Sequence, residues 1–256
     1  MLMTDAYDQV LAARSAAKIS IQALIQGVFD DFYELHGDHY YGDDPAVIGG
    51  LARLSGQTVT VIGIQKGQTV TENQDRHFGC ATPAGYRKAL RLMREAAQFH
   101  RPVITLINTP GAYPGVSAEY QGQGAALAEC LLTGSQLPVP MISLIVGEGG
   151  SGGALALACG DQVWMLANST YSILSPEGYA SILWHDAHQA RAAAAAMALT
   201  PAELIAAQVI DKIVPEVTDS ASCEGLKHQL DDTIKTLQQQ TPTSLIAHRQ
   251  ARFRKF

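Results

Sequence analysis

The chain has 256 residues, 47% of them hydrophobic, and a formal net charge of -6. That length and composition support one sizeable core and exclude a low-complexity or disordered chain. The acidic balance argues against a nucleic-acid partner, because phosphate backbones favour basic surfaces, but it leaves anionic small molecules open. The cysteines Cys80, Cys130, Cys159 and Cys223 are dispersed without a CxxC pair, so they read as free thiols rather than zinc ligands or a disulfide framework. No basic leader runs into an apolar core, and no stretch of about 18 apolar residues occurs, so a soluble, cytoplasmic chain without a membrane span is expected.

In chain order, Ile21, Leu24, Ile25, Val28, Phe32 and Leu35 keep a helical stripe, which the polar HGDHYYGDD then ends. QTVTVIGI at 57–64 reads as a strand, and 65–83 as a polar loop carrying Lys66, Arg76 and His77. A helix from Tyr86 places Ala89, Leu90, Met93 and Ala97 on one face and Arg87, Lys88, Arg91 and Arg94 on the other. A buried strand at 102–108, a loop TPGAYPG at 109–115 and a helix over 118–133 follow. The same order repeats as PMISLIV at 140–146, the glycine segment GEGGSGG at 147–153 and a short helix ALALA, then a strand at 161–166. Helices over 188–198 and 201–208 come next, then one carrying Leu226, Leu230, Ile234 and Leu237, with HRQARFRKF as a frayed tail. Fully apolar strands alternating with helices predict an α/β core covered on both sheet faces. The expected organisation is a helical segment over 1–45, a core over 46–218, and a C-terminal helix with a basic tail over 219–256, all in one unit.

The glycines carry the chemistry. Between a strand and a helix start they leave amides uncovered, and the first helical turn has N–H groups without acceptors. Such a nest binds an anion or an oxyanion. Gly152, Gly153 and Ala154, where the helix should begin, are the leading donors, and Gly111 and Ala112 occupy the equivalent place after the preceding strand. A P-loop is excluded because no lysine follows the glycines. GEGGSG satisfies GxGxxG, but it sits past mid-chain without an acidic residue at the expected distance. GGSGG satisfies a serine-nucleophile pattern at Ser151, but His185 and His188 come late, in a polar stretch. Tight strand–helix packing without chemistry is the remaining reading.

The sequence resembles the alpha subunit of the bacterial acetyl-coenzyme A carboxylase carboxyltransferase. The resemblance rests on FDDFYELHGDHYYGDDPAVIGGLA at 29–52, TVTVIGIQKG at 58–67, GYRKALRLMREAAQF at 85–99 and NTPGAYPGVSAEYQGQG at 108–124. It continues through VGEGGSGGALAL at 146–157, STYSILSPEGYASILW at 169–184 and LIAAQVIDKIVPE at 204–216.

The resemblance implies a crotonase-like spiral of β-β-α units with flanking helices. It implies transfer of a carboxyl group from carboxybiotin, delivered on the biotin carboxyl carrier protein, to acetyl-CoA, giving malonyl-CoA for fatty acid synthesis. Two oxygens then acquire charge, the biotin ureido oxygen and the thioester oxygen. The resemblance gives the first to Gly152 and Gly153 and the second to a beta subunit, in an α2β2 assembly; contact with biotin carboxylase stays open. Gly111, Ala112, Gly149, Gly150 and Ala154 are expected to shape the cavity. Lys66 is the electrostatic candidate for CoA, and the Arg87–Arg94 face is read mainly as solvated. Glu148 is expected to fix its turn rather than move a proton, and Ser175 to cap a helix or border the cavity. No metal site and no tightly bound cofactor are expected. Gln68 replaces the family's usual arginine and Cys80 its usual methionine, so CoA contacts around 68–82 are in question. The alternatives are another CoA-dependent crotonase-like enzyme, a hydratase or decarboxylase component, or a non-catalytic partner of the beta subunit.

Overall fold

A computed structural model describes residues 5–256. The chain opens with α1 (Ala6–Arg14), α2 (Ile21–Val28), β1 (Asp30–Glu34), β2 (Val47–Leu54) and β3 (Gln57–Ile64). Then come α3 (Val70–Asp75), α4 (Pro83–Gln98), β4 (Val103–Thr109), α5 (Val116–Tyr120), α6 (Gln123–Ser135), β5 (Met141–Gly150) and α7 (Ser151–Leu155). The last part holds β6 (Gln162–Leu166), β7 (Thr170–Ser172), α8 (Pro176–Trp184), α9 (Ala190–Ala196), α10 (Pro201–Ala206), β8 (Lys212–Val214), α11 (Ser220–Leu237) and α12 (Pro242–Phe253).

The strands form one sheet in the order β1-β2-β3-β4-β5-β6-β8, with β7 paired separately to β5. β1, β2 and β3 are antiparallel neighbours, and every pairing from β3 onward is parallel. Both faces are covered, as the apolar strands require. Val103 and Ile107 pack with α4 and α6 on one face, whereas Ile104 and Leu106 pack with α2 and α11 on the other. The period-two alternation therefore survives inside continuous apolar runs.

Five expectations change. The 21–35 stripe is two elements: α2 ends at Val28 and β1 begins at Asp30. Phe32 and Leu35 pack on opposite faces of the sheet, which a single helical stripe would not allow. Of the 1–45 segment, residues 1–4 lie outside the described residues, and the rest is part helix and part sheet edge. The 65–83 loop contains α3, closed by a Thr69–Glu72 capping box, and a 3-10 turn at His77–Gly79. The 118–133 helix breaks at Gly122, whose φ of 82° only glycine adopts readily. The frayed tail is α12, started by the Thr241 cap and Pro242 at its first turn. It is anchored by Arg249, 1% exposed, which pairs with Asp161 at 2.7 Å and donates to the carbonyls of Gly134, Leu137 and Val139.

The fifth change concerns the glycines. β5 does not stop at Val146 but runs to Gly150. Ile142–Ile145 pair with β6, and then Glu148, Gly149 and Gly150 pair with Thr170, Tyr171 and Ser172 of β7. One strand serves two successive neighbours, which is how the sheet begins to coil. α7 starts at Ser151, three residues before the expected ALALA helix.

Candidate functional site

The glycine run has a specific steric demand at nearly every position. A β-carbon on Gly147 would lie 2.5 Å from Asn108 Oδ1 and 3.0 Å from the carbonyl oxygen of Ala13 in α1. One on Gly149 would press on Ile145 and Tyr171 at 3.1 Å, and one on Gly150 would collide with the carbonyl of Pro110. On Gly153 it would lie 2.5 Å from Ala112 N and 2.6 Å from Gly111 C. The ends of β4 and β5 therefore touch through their backbones, and only glycine permits that approach. Gly152 differs. Its nearest neighbour would be Leu127 Cδ1 at 3.9 Å, ordinary contact, so packing does not require a glycine there.

Gly152 faces an apolar groove of about 950 Å³, shared with Ser151, Leu155, Tyr171, Ile173 and Phe253. α7 has no side-chain cap, so the amides of Gly152 and Gly153, its second and third residues, lack acceptors among the described residues. Ala154 is buried and is the fourth helical residue, the first whose amide reaches an intrahelical acceptor, the Gly150 carbonyl. Its N–H closes the first turn, so the geometry offers two free amides in α7 rather than three. A third comes from the facing loop, where Ala112 N–H makes no hydrogen bond among the described residues. Gly111, with φ of 152°, is held by Thr109 Oγ1, which accepts from Gly111 N at 3.0 Å.

Charge is concentrated behind the glycines. Glu148 accepts from Arg14 Nε at 2.7 Å and pairs with Lys66 through its other oxygen. Arg14 also grips Glu177 in a bidentate pair at 2.8 and 3.1 Å. Burial pushes the Glu148 carboxyl up, but Lys66 and Arg14 outweigh it and hold it below the usual carboxylate range. Glu177 is held low chiefly by the hydrogen bond from Arg14. Glu148 is thus an ionised structural carboxylate fixing β5, and Lys66 points at it. Ser175 caps α8, accepting from Gly178 N at 3.1 Å. Against expectation, the basic face of α4 is solvated only at Arg94, which pairs with Glu129 at the surface. Lys88 is buried against the Val47 carbonyl, Arg87 binds Asp38, and Arg91 binds the carbonyls of His36 and Gly37. Arg14 carries no sequence signal for this role, since it lies in the expected N-terminal helical segment and reaches Glu148 only through the fold.

This coiled, mostly parallel sheet has the crotonase-like fold. Solved structures share it: a transcarboxylase 12S hexamer with methylmalonyl-coenzyme A bound has a TM-score of 0.72 at 20% identity over 91% of this chain and 44% of that one. A Pseudomonas malonate decarboxylase hetero-tetramer in complex with coenzyme A has a TM-score of 0.69 at 17% identity, over 84% of this chain and 91% of that one. The chain belongs to the family described as acetyl co-enzyme A carboxylase carboxyltransferase-like, which matches residues 3–256. A relative from Streptococcus pyogenes serotype M5 (strain Manfredo), the acetyl-coenzyme A carboxylase carboxyl transferase subunit alpha, is 51% identical over 99% of this chain and 100% of its own length.

Proposed function

We propose that this chain is the alpha-subunit wall of a carboxyltransferase cavity, moving a carboxyl group from carboxybiotin to acetyl-CoA with Gly152 and Gly153 as oxyanion donors. The observation that carries the site assignment is Gly152, a glycine without a packing reason, at the lip of a groove, beside a free amide. Full-length kinship to the carboxyltransferase alpha subunits supports the reaction.

Biotin on its carrier supplies the carboxyl group. Gly152 and Gly153 offer their amides to the ureido oxygen, which gains charge as the N–C bond breaks, and a rigid donor pair lowers the barrier without reorganising. The methyl proton of acetyl-CoA passes to the released ureido nitrogen, and the new C–C bond forms at the methyl carbon. No side-chain base of this chain takes part; Glu148 is already ionised and spent on Arg14 and Lys66. Gly111 and Ala112 border the same cavity, and Gly149 and Gly150 bring the two loops together. In this reading Lys66 serves CoA only indirectly, by holding Glu148 and the end of β5, since the Arg14, Lys66, Glu148 and Glu177 cluster balances two cations with two carboxylates. The thioester oxygen is left to a beta subunit, in an α2β2 assembly served by the carrier protein. An apolar face around the groove supports that partnership: Ile173, Ile182, Leu183 and Phe256 are more than half exposed.

The test is malonyl-CoA-dependent carboxylation of biocytin by this chain, its beta subunit, and the mixture. Turnover in the mixture alone is expected. Turnover by this chain alone overturns the shared cavity, and an inactive, verified complex overturns the carboxyltransferase reading.

A further inference from the structure

The groove beside Gly152 is lined by different parts of the chain. Ser151 and Gly152 come from the start of α7, and Ser172, Ile173 and Tyr179 from β7 and α8. The spacing of these parts decides where a bound group meets the free amides. β7 is fixed by its ladder to Glu148, Gly149 and Gly150. α8 is held more weakly. It buries only Pro176 and Ala180, leaves Ile182 and Leu183 exposed, and packs chiefly on α9 and the 3-10 turn at Ala187–Gln189. Among the described residues, its hydrogen bonds to other helices or to the sheet all come from one side chain, Arg14.

Arg14 ends α1 and reaches both parts. Its Nε donates to Glu148 Oε1 at 2.7 Å, two residues before Gly150. Its two terminal nitrogens donate to the Glu177 oxygens at 2.8 and 3.1 Å, in the first turn of α8 and two residues before Tyr179. Three bonds from one planar group fix an angle as well as a distance, which a lysine ammonium cannot do. The cavity left there is only about 30 Å³, shared by Arg14, Glu148, Gly150, Ser175 and Pro176, so the guanidinium fills the gap it spans. Lys66 already pairs with Glu148, so the charge of that carboxylate does not by itself require Arg14. Arg14 holds the Glu177 carboxyl below the usual range, which keeps the bridge intact at neutral pH.

We propose that Arg14 is a positioning residue for the carboxyl transfer: by bridging Glu148 and Glu177, its guanidinium sets the spacing between the Gly152–Gly153 donors and the Tyr179 side of the groove. The inference rests on the reading above, in which those two amides meet the reacting ureido oxygen. Arg14 does not line the groove itself. It acts through Glu148 on β5 and through Glu177 on α8.

Glu177→Gln cuts the α8 arm of the bridge and leaves Arg14 and Lys66 on Glu148. In the verified complex with the beta subunit, malonyl-CoA-dependent carboxylation of biocytin is expected to show kcat lowered about tenfold or more, as misplacement of a reacting-site group does. Assembly should be retained, and the melting temperature of the chain should stay within a few degrees of wild type, because the lost pair is partly exposed. Arg14→Lys, which keeps the charge but cannot span both carboxylates, should lower kcat similarly. The two changes together should cost less than about twofold more than either alone, since both break one bridge. Arg191→Gln is the control. It frees α1 from its other ionic tie, at Asp5 and Asp8, without touching Glu148 or Glu177, and turnover should stay within about twofold. A Glu177→Gln complex with kcat within about twofold of wild type overturns the proposal, as does a rise in KM for biocytin with kcat preserved, which would mean a binding role. Multiplying effects in the double variant, an equal loss in Arg191→Gln, or loss of assembly in Glu177→Gln would each mean a general structural role and also overturn it. Failure of the functional reading is separate, since it appears as an inactive wild-type complex.

Discussion

Gly152 and Gly153 are adjacent, yet their surroundings predict opposite outcomes for the same substitution. Alanine at Gly152 enters open space, with Leu127 Cδ1 at 3.9 Å, and replaces a glycine in a helical turn. Stability should be unchanged or raised by up to about 1 kcal/mol. Valine there places two methyl groups at the lip of the groove, so kcat should fall at least tenfold while the complex stays assembled; normal turnover would remove Gly152 from the site. Alanine at Gly153 drives its β-carbon into the backbone of Gly111 and Ala112, where nothing flexible can move aside, and should destabilise by about 1–3 kcal/mol in chemical denaturation. The glycine string was visible in the sequence and so was its place between a strand and a helix. The division of labour within it was not, because each glycine answers to a different distant neighbour: Asn108, Tyr171, Pro110 or Ala112. Ala154 illustrates the cost of a misplaced helix start. A shift of three residues turns an expected free amide into a helix bond.

At the level of elements, α1 and α12 are held by charge rather than by large apolar faces. Removing the α12 anchor by Arg249→Ala leaves Asp161 buried without its partner and strips three carbonyls of their donor, so a loss of about 3–5 kcal/mol is expected in urea unfolding. The Arg14–Glu148–Lys66 cluster ties α1 and the end of β3 to β5, and its pH dependence follows from sign. The Glu148 carboxyl is held below its ordinary 4.5 in the folded chain. Its contribution is therefore complete above about pH 4.5 and is lost as pH falls through the lowered folded value. Glu148→Gln should cost about 1–3 kcal/mol at pH 7, and the gap from wild type should close on acidification below pH 4.5; a gap independent of pH would assign the loss to packing. The apolar strands were legible because burial on both faces leaves long runs of β-branched residues. β1 was not, since DDFYE lies at the sheet edge and its Phe32 falls in phase with the stripe of α2. α12 was missed because its most buried side chain is an arginine, which reads as surface.

The molecule as a whole presents its nest next to an apolar face. Ile173 is 77% exposed, Ile182 66% and Leu183 56%, and Trp184 stacks edge-on against Tyr179, whose side chain lines the Gly152 groove. The face and the cavity are therefore continuous. That continuity fits a chain that supplies one set of donors and leaves the second charged oxygen to a partner, because a subunit seated on this face would also close the groove and exclude water from the reacting atoms. Surface side chains of this kind contribute little to the fold of the isolated chain, so charge introduced there separates assembly from stability. The double substitution Ile182→Asp with Leu183→Asp should leave the melting temperature of the isolated chain within a few degrees. It should weaken association with the beta subunit by at least about tenfold, since each buried aliphatic side chain is worth roughly 1.5–3 kcal/mol. Analytical ultracentrifugation of the mixture reads the association, and biocytin carboxylation at raised subunit concentration reads the chemistry. Turnover should return toward the wild-type value as concentration restores the complex, because the Gly152–Gly153 donors are untouched. Unchanged association would place the beta subunit on another face. A complex that reassembles but stays inactive would mean that α8 itself shapes the cavity.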